Sequence, residues 1–411
     1  MYKIYENLLN KTLENRYIFL GLLTQRATPI LLAAPLIFFY TERVYAEFLF
    51  LISIAQLIAS IGSIGTNQVV IPLWTRYQNK ARMILSGILV ILIGHILIAL
   101  VMSMIFTIPY FKFSQSINIL ENFFVIWLYS FSWALMNTMI AFARARGILK
   151  EYFYSGLLNI LVCILLLLFF IYSSWLSLDT LFIIFISGMQ AVIFTLLIYE
   201  IKNWNSQIKV PNTESIIYII KSGIPMILHG ITVTFLLLAD KFVARSYFSE
   251  EFFTMFIIEF QMAYSVLIVP TAVAFYSASK FAEFSESKER IMMETLLKNS
   301  MIMSILGSIL LIFIIYLYCS LVGINLGINF LLISLTLITH GIYMQFSNYY
   351  AADLQFTKIL ISSFIGCFMF ICIAFISVYT NLPILLNICW LGYSAGTIYL
   401  RFYPNLKNSE R

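Results

Sequence analysis

Residues 161–171 read LVCILLLLFFI. Eleven apolar side chains in a row decide the architecture. A strand of a membrane barrel alternates apolar and polar residues over segments of about ten, and nothing alternates here. The backbone of a segment inside lipid must bond within itself, which leaves helices as the answer. Outward from this stretch the same pattern recurs along all 411 residues, in apolar runs separated by short polar breaks. A bilayer core of about 30 Å takes about 20 helical residues to cross. Twelve such spans are predicted, at 17–40, 46–72, 84–109, 120–142, 153–173, 179–199, 222–244, 252–276, 297–319, 328–350, 359–379 and 384–401.

Composition agrees. The chain is 61% hydrophobic and 11% charged, against about 25% charged residues in soluble domains. Its mean hydropathy of +0.93 has the same meaning. A polar stretch, 2–16, precedes the first apolar segment, which runs on to about Tyr40. It is therefore expected to be a retained span, not a cleaved signal peptide. The five cysteines lie in or at the ends of apolar runs without zinc-type spacing. They are expected to pack as small hydrophobes. No metal or other cofactor is expected.

Basic residues orient the spans, because cytoplasmic loops carry an excess of Lys and Arg. With the N-terminus inside, 20 of the 25 Lys and Arg fall in cytoplasmic segments. Arg43, Lys112, Lys241 and Arg245 fall outside, and Arg26 lies within the first span. Both termini are expected in the cytoplasm. The net charge of +6 is thus a topological signal, and no nucleic-acid partner is expected. The longest cytoplasmic break, 200–221, follows six spans and precedes six more. This predicts two six-helix lobes, 1–206 and 207–411, as in transporters built from repeats. Glu47-Phe48 and Glu251-Phe252, which open spans 2 and 8, are a weak internal echo.

Outer loops are all short, so function must lie between the helices or at their ends. An ionisable group inside a span is costly and is a functional candidate by default. Arg26 lies nine residues into span 1, about 14 Å deep at 1.5 Å per residue. Arginine stays charged, so it needs a polar cavity, an anion, a helix-end carbonyl or a Glu. A phosphate would match its planar fork. Gln25, Thr24 and Thr28 flank it, and Pro29 and Pro35 follow in the same span; proline bends a helix. Glu259 in span 8 is a candidate proton carrier or ion-pair partner, with Gln261 beside it. His229 follows Pro225 in span 7; histidine titrates near neutral pH, though a lone one also packs as an ordinary polar residue. Asp240 and Lys241, with Arg245 behind them, are a candidate coupling site or an interfacial charge cluster near the outer end of span 7. His95 and His340 are mid-span. Asn67, Gln68 and Asn137 could line a polar path or bond across helices. No nucleophile triad or phosphate loop is visible, and nothing argues for an enzyme.

Span 7 is entered by Lys221-Ser222-Gly223-Ile224-Pro225 and left by Leu238-Ala239-Asp240-Lys241-Phe242-Val243. Span 8 ends in Ala274-Phe275-Tyr276-Ser277-Ala278, and span 10 in Asn348-Tyr349-Tyr350 with Lys358 after it. With the length, the short loops and the 6+6 break, these stretches resemble the polysaccharide flippases of the multidrug/oligosaccharidyl-lipid/polysaccharide (MOP) exporter superfamily, the O-antigen and capsule-repeat-unit branch. The resemblance implies an all-α, MATE-like, two-lobed membrane transporter whose spans 1, 2, 7 and 8 line a central cavity. It implies an undecaprenyl-diphosphate-linked oligosaccharide as substrate, moved between leaflets of a bacterial inner membrane. Arg26, Gln25, Asn67, Gln68 and His229 would then bind substrate. Glu259 and Asp240 would bind a coupling H+ or Na+. A polysaccharide polymerase and a chain-length regulator are implied partners, together with membrane lipid. The rival readings are a multidrug cation exporter of the same superfamily, which should want an acidic cavity, and a membrane O-antigen polymerase, which usually carries a large outer loop.

Overall fold

A computed structural model describes residues 2–67, 69–70, 80–106, 122–146, 148–202, 211, 213–353 and 355–408. All secondary structure among them is helical. The first helical stretch, Tyr2–Gly62, is broken at Thr41 (φ 69°, ψ 154°) into α1 (2–40) and α2 (42–62). Positive φ is uncommon for a β-branched residue. It falls where Thr41, Glu42 and Arg43 leave the apolar runs, and all three are exposed. There follow α3 (Lys80–Phe106), α4 (Phe123–Arg146), α5 (Leu149–Tyr172), α6 (Leu178–Lys202), α7 (Thr213–Tyr247) and α8 (Glu250–Tyr264). The rest are α9 (Ile268–Glu286), α10 (Arg290–Leu321), α11 (Ile328–Ala352), α12 (Phe356–Thr380) and α13 (Gly392–Asn408), with 3-10 segments at Ser265–Leu267 and Pro383–Leu391. Eleven described stretches are long and apolar enough to cross a membrane. The first, Pro35–Gly62, runs across the Thr41 break and so includes the end of α1. The chain is an all-helical multi-pass membrane protein.

Contacts divide it into two compact units, 47–234 and 1–46 with 235–411. These units follow packing, not chain order alone. The boundary at 206/207 expected from the 6+6 count concerns a repeat and remains a proposal.

In the unit 47–234, α6 packs on α5 and α4, and α3 on α4. Small residues let the backbones approach, as is usual between membrane helices. A Cβ on Gly188 (α6) would lie 2.1 Å from Asn159 Oδ1 and 2.6 Å from Cys163 Sγ, both on α5. Gly65, at φ +65°, turns the chain after α2 against α7: its Cβ would lie 2.5 Å from the Gly223 carbonyl, and one on Gly223 2.2 Å from the Ile64 carbonyl.

In the other unit, α11 packs against α8, α9, α10, α12, α13 and both 3-10 segments. Along α10 a row of serines faces inward and large apolar side chains face outward. On α10, Ser300, Ser304 and Ser308 are buried, while Met303, Leu306, Leu310 and Phe313 are exposed. Pro270 explains the break between α8 and α9. Proline has no N–H for the carbonyl four residues back; that carbonyl, of Val266, accepts from Ser308 Oγ at 3.4 Å instead. The Pro270 carbonyl in turn accepts from Gln345 Nε2 at 2.9 Å.

Most helices outrun the predicted spans. α7 runs to Tyr247 where the span ended at 244, and α10 starts at Arg290 where it began at 297. Hydropathy sees only the apolar middle of a helix whose polar ends continue the same hydrogen-bond ladder.

Candidate functional site

The unit containing 235–411 holds a connected set of buried polar groups. Two of them are carboxylates. Asp240, on α7, is 0% exposed. Its Oδ1 accepts from the Lys241 backbone N–H at 2.7 Å and lies 3.5 Å from Lys241 Nζ. Its Oδ2 accepts from Trp390 Nε1 at 3.2 Å. Lys241, also buried, donates its ammonium to the Leu237 carbonyl and stands 3.8 Å from the centre of the Phe260 ring. The ring face attracts a cation more strongly once water is excluded. Desolvating two charges is costly, and removing either would strand the other.

Glu259, on α8, is 2% exposed. Its Oε1 accepts from the Gly327 N–H, the residue before α11, and the Asn329 side chain and Phe330 N–H also face the carboxylate. It therefore sits on the N-terminus of α11, where unpaired N–H groups and the helix dipole favour negative charge. Gly327 makes room: a Cβ there would lie 2.9 Å from Oε1. Asn329 Oδ1 accepts from Asn387 Nδ2 at 2.6 Å, which carries the network into the 3-10 segment Pro383–Leu391. Both carboxylates thus reach the same nine residues, Asp240 through Trp390 and Glu259 through Asn329 and Asn387.

An aromatic group adjoins them. The His340 ring lies 4.7 Å from Tyr393 and 5.4 Å from Trp390. Deeper between α9, α10 and α11, Gln345 donates to Pro270 O and to Ser304 Oγ at 3.1 Å, and accepts from Ser277 Oγ at 3.3 Å. Among the described residues no three His, Cys, Asp or Glu side chains gather as a metal would need.

No family model and no curated sequence matches the chain. Solved structures do. It resembles a MOP superfamily transporter from Pyrococcus furiosus, whose binding pocket of reverse polarity suggests a different function, with a TM-score of 0.74 at 14% identity over 96% of this chain and 94% of that one. A MATE in complex with MaL6 gives 0.72 at 15% identity over 96% and 95%. An outward-facing multidrug resistance MATE family transporter gives 0.69 at 12% identity over 96% and 94%.

The fold is that of the MOP superfamily transporters.

Within the MOP fold the predicted site residues separate. Asp240 and Glu259 come together in one unit, linked through the last span. Asn67 and His229 fall in the unit 47–234. Asn67 follows the tight turn at 63–65, its Oδ1 buried with no hydrogen bond among the described residues. His229 is half-buried on the first part of α7. Gln25 and Arg26 stand on the helical backbone of α1, with their side chains outside the described residues, and Gln68 lies outside altogether. Asp240 and Lys241 are both buried against α8 and Trp390, and α7 runs on for more than a turn beyond them. His95 is closely packed: its Nδ1 lies 3.0 Å from the Ile91 carbonyl, and a Cβ on Gly62 would strike its ring at 2.4 Å. Sequence reasoning passed over Gln345, Asn329, Asn387 and Trp390. An amide in a long apolar run was the available signal.

Proposed function

We propose that this chain is an alternating-access transporter of the MOP fold that flips an undecaprenyl-diphosphate-linked oligosaccharide from the inner to the outer leaflet of a bacterial inner membrane. Both termini lie in the cytoplasm, and the two lobes are 1–206 and 207–411. The single observation that carries this reading is Arg26, a permanent cation about 14 Å along the first span by helical rise. A diphosphate and hydrated sugars cannot cross hydrocarbon unaided. A guanidinium offers the forked donor a diphosphate wants, while the lipid tail stays in the bilayer. Gln25, Asn67, Gln68 and His229 are assigned to substrate binding as well. Asp240 and Glu259 bind the coupling H+ or Na+, and the protein does no covalent chemistry. Its product passes to a polysaccharide polymerase and a chain-length regulator.

The test is Arg26→Ala in a strain that depends on this protein. Loss of surface polysaccharide at normal protein level is expected; full activity would remove Arg26 from the mechanism. Coupling is tested in vesicles, where collapse of both ion gradients should stop transport. A second reading, an organic-cation exporter, is favoured by the likeness to MATE structures. A deletion strain with unchanged surface polysaccharide and raised drug susceptibility would support it against the first.

A further inference from the structure

The last span begins with nine residues of 3-10 helix, Pro383–Leu391. Such runs seldom exceed three or four residues, because the hydrogen bonds are poorer than in an α-helix. Something outside the segment must hold it, and four contacts do so at two residues. Asn387 donates its side-chain amide to Asn329, and its carbonyl accepts from Thr336 Oγ1 at 3.2 Å. Trp390 donates its indole N–H to Asp240, and its carbonyl accepts from Thr339 Oγ1 at 3.4 Å. Asn387 and Trp390 are three apart, so a 3-10 helix of three residues per turn places them on one face. Thr336 and Thr339 repeat the same spacing on α11. An α-helix counted back from Gly392 would swing Asn387 by about 100° and break this register.

The inner end of the segment is fixed. A Cβ on Gly392 would lie 2.7 Å from the Gly366 carbonyl and 2.8 Å from the Phe370 nitrogen, so backbone meets backbone on α12. Gly396, one turn on, is equally close, with its Cβ site 2.5 Å from the Ser362 carbonyl. The outer end is the turn at Asn381 (φ 53°) followed by Pro383, and Leu382 there is exposed.

We propose that Pro383–Leu391 is a conformational switch that reads the charge on Asp240 and Glu259. With both carboxylates ionised, the charge-assisted bond from Trp390 to Asp240 and the Asn387–Asn329 bond, whose Asn329 is oriented by Glu259, hold the 3-10 form. With both neutralised or occupied, those bonds weaken and the segment relaxes to α-helix. Nine residues at 2.0 Å rise shorten to 1.5 Å each, drawing the outer end inward by about 4–5 Å. This rests on the reading of Asp240 and Glu259 as the coupling pair. The groups facing them are Lys241, Trp390 and Cys389 at Asp240, and Asn329 with the Gly327 and Phe330 amides at Glu259. His340 and Tyr393 face Trp390 from α11 and α13.

The test measures the distance between spin labels on Leu382→Cys and Ile291→Cys, at opposite ends of this unit, in a Cys367→Ser, Cys372→Ser background. Trp390→Phe with Asn387→Leu should shorten the distance by about 4–5 Å. Asp240→Asn with Glu259→Gln, which imitates protonation, should populate the same shorter distance. Should that pair fail to fold, labelled protein in the unmutated 240/259 background at pH 5 and pH 8 supplies the comparison, with the shorter distance expected at pH 5. No change in the Trp390/Asn387 variant would mean the segment holds its form by itself, and the proposal fails. A change there but none on neutralising the carboxylates would overturn the charge-reading part. The underlying coupling reading fails separately, through gradient-independent transport, whatever the labels report.

Discussion

Both packing units bring helix backbones close at glycines, but they differ in the polar groups they bury between helices. The unit 47–234 relies on close backbone approach and isolated bonds between hydroxyls or amides. Ser86 meets Ser215 at 2.8 Å, and Gln190 donates to Ser132 at 2.8 Å. The ion pair of Arg146 with Glu200 stands at helix ends; the glutamate is buried, and the arginine is 29% exposed. The unit of 1–46 and 235–411 instead buries a lysine–aspartate pair and a carboxylate on a helix end, joined through one 3-10 segment, and apart from them an amide with three partners. Hydrocarbon punishes unsatisfied polar groups, so the buried Glu259 Oε2 and Asn387 Oδ1, which lack a hydrogen bond among the described residues, are the costly points of this network. It is also where a change of charge has the most to alter. The second unit holds the larger share of the buried charge among the described residues.

The largest expected effect tests this contrast directly. Asp240→Ala strands a buried lysine and the Trp390 N–H, and should cost about 3–5 kcal/mol, as broken buried pairs do. Glu200→Ala leaves Arg146 able to reach water and should cost about 1 kcal/mol. Thermal unfolding of the two variants in detergent compares them, and equal losses would erase the distinction between units. Next comes Gln345→Leu, which gives up three side-chain bonds at about 0.6 kcal/mol each, about 2 kcal/mol in all. Gln190→Leu gives up one and should lose about a third as much in the same assay. Gly223→Ala should cost about 1–3 kcal/mol by pushing a methyl into the Ile64 carbonyl. A silent Gly223→Ala would mean that the turn at 63–65 yields freely and that the first unit is not rigid there. Smallest is Arg43→Ala. Its 2.8 Å pair with Glu250 is exposed on both sides (79% and 64%), so the melting temperature should barely move.

Much of the fold was legible in the sequence, because the bilayer imposes a length on every crossing. The break between spans 1 and 2 was readable from Thr41-Glu42-Arg43, three polar residues between apolar runs. The break inside span 8 was less so: Pro270 was visible, but Ser308, which takes over the freed carbonyl, lies 42 residues away. The site was half legible. Asp240 and Glu259 stood out because charge in an apolar run is conspicuous. Their partners did not, since Asn329 and Asn387 lie 58 residues apart and Trp390 lies 150 from Asp240. Tryptophan in a membrane protein is also expected at the interface, whereas Trp390 is buried within its unit. The 3-10 winding of Pro383–Leu391 had no sequence signature beyond the proline at its start. Its form depends on neighbours that only folding supplies.

The serines of α10 have a practical consequence for anyone making variants. Replacing Ser304 by leucine would raise the chain's oiliness, and a hydropathy scale would score the change as an improvement for a membrane helix. Yet Ser304 faces Gln345 and its neighbours rather than the lipid tails, and a branched side chain there would wedge α10 away from α11. At such places bulk, not polarity, is the quantity that tolerance should follow, and a mutational scan sorted by volume should separate the two sides of this helix where one sorted by polarity would misjudge them.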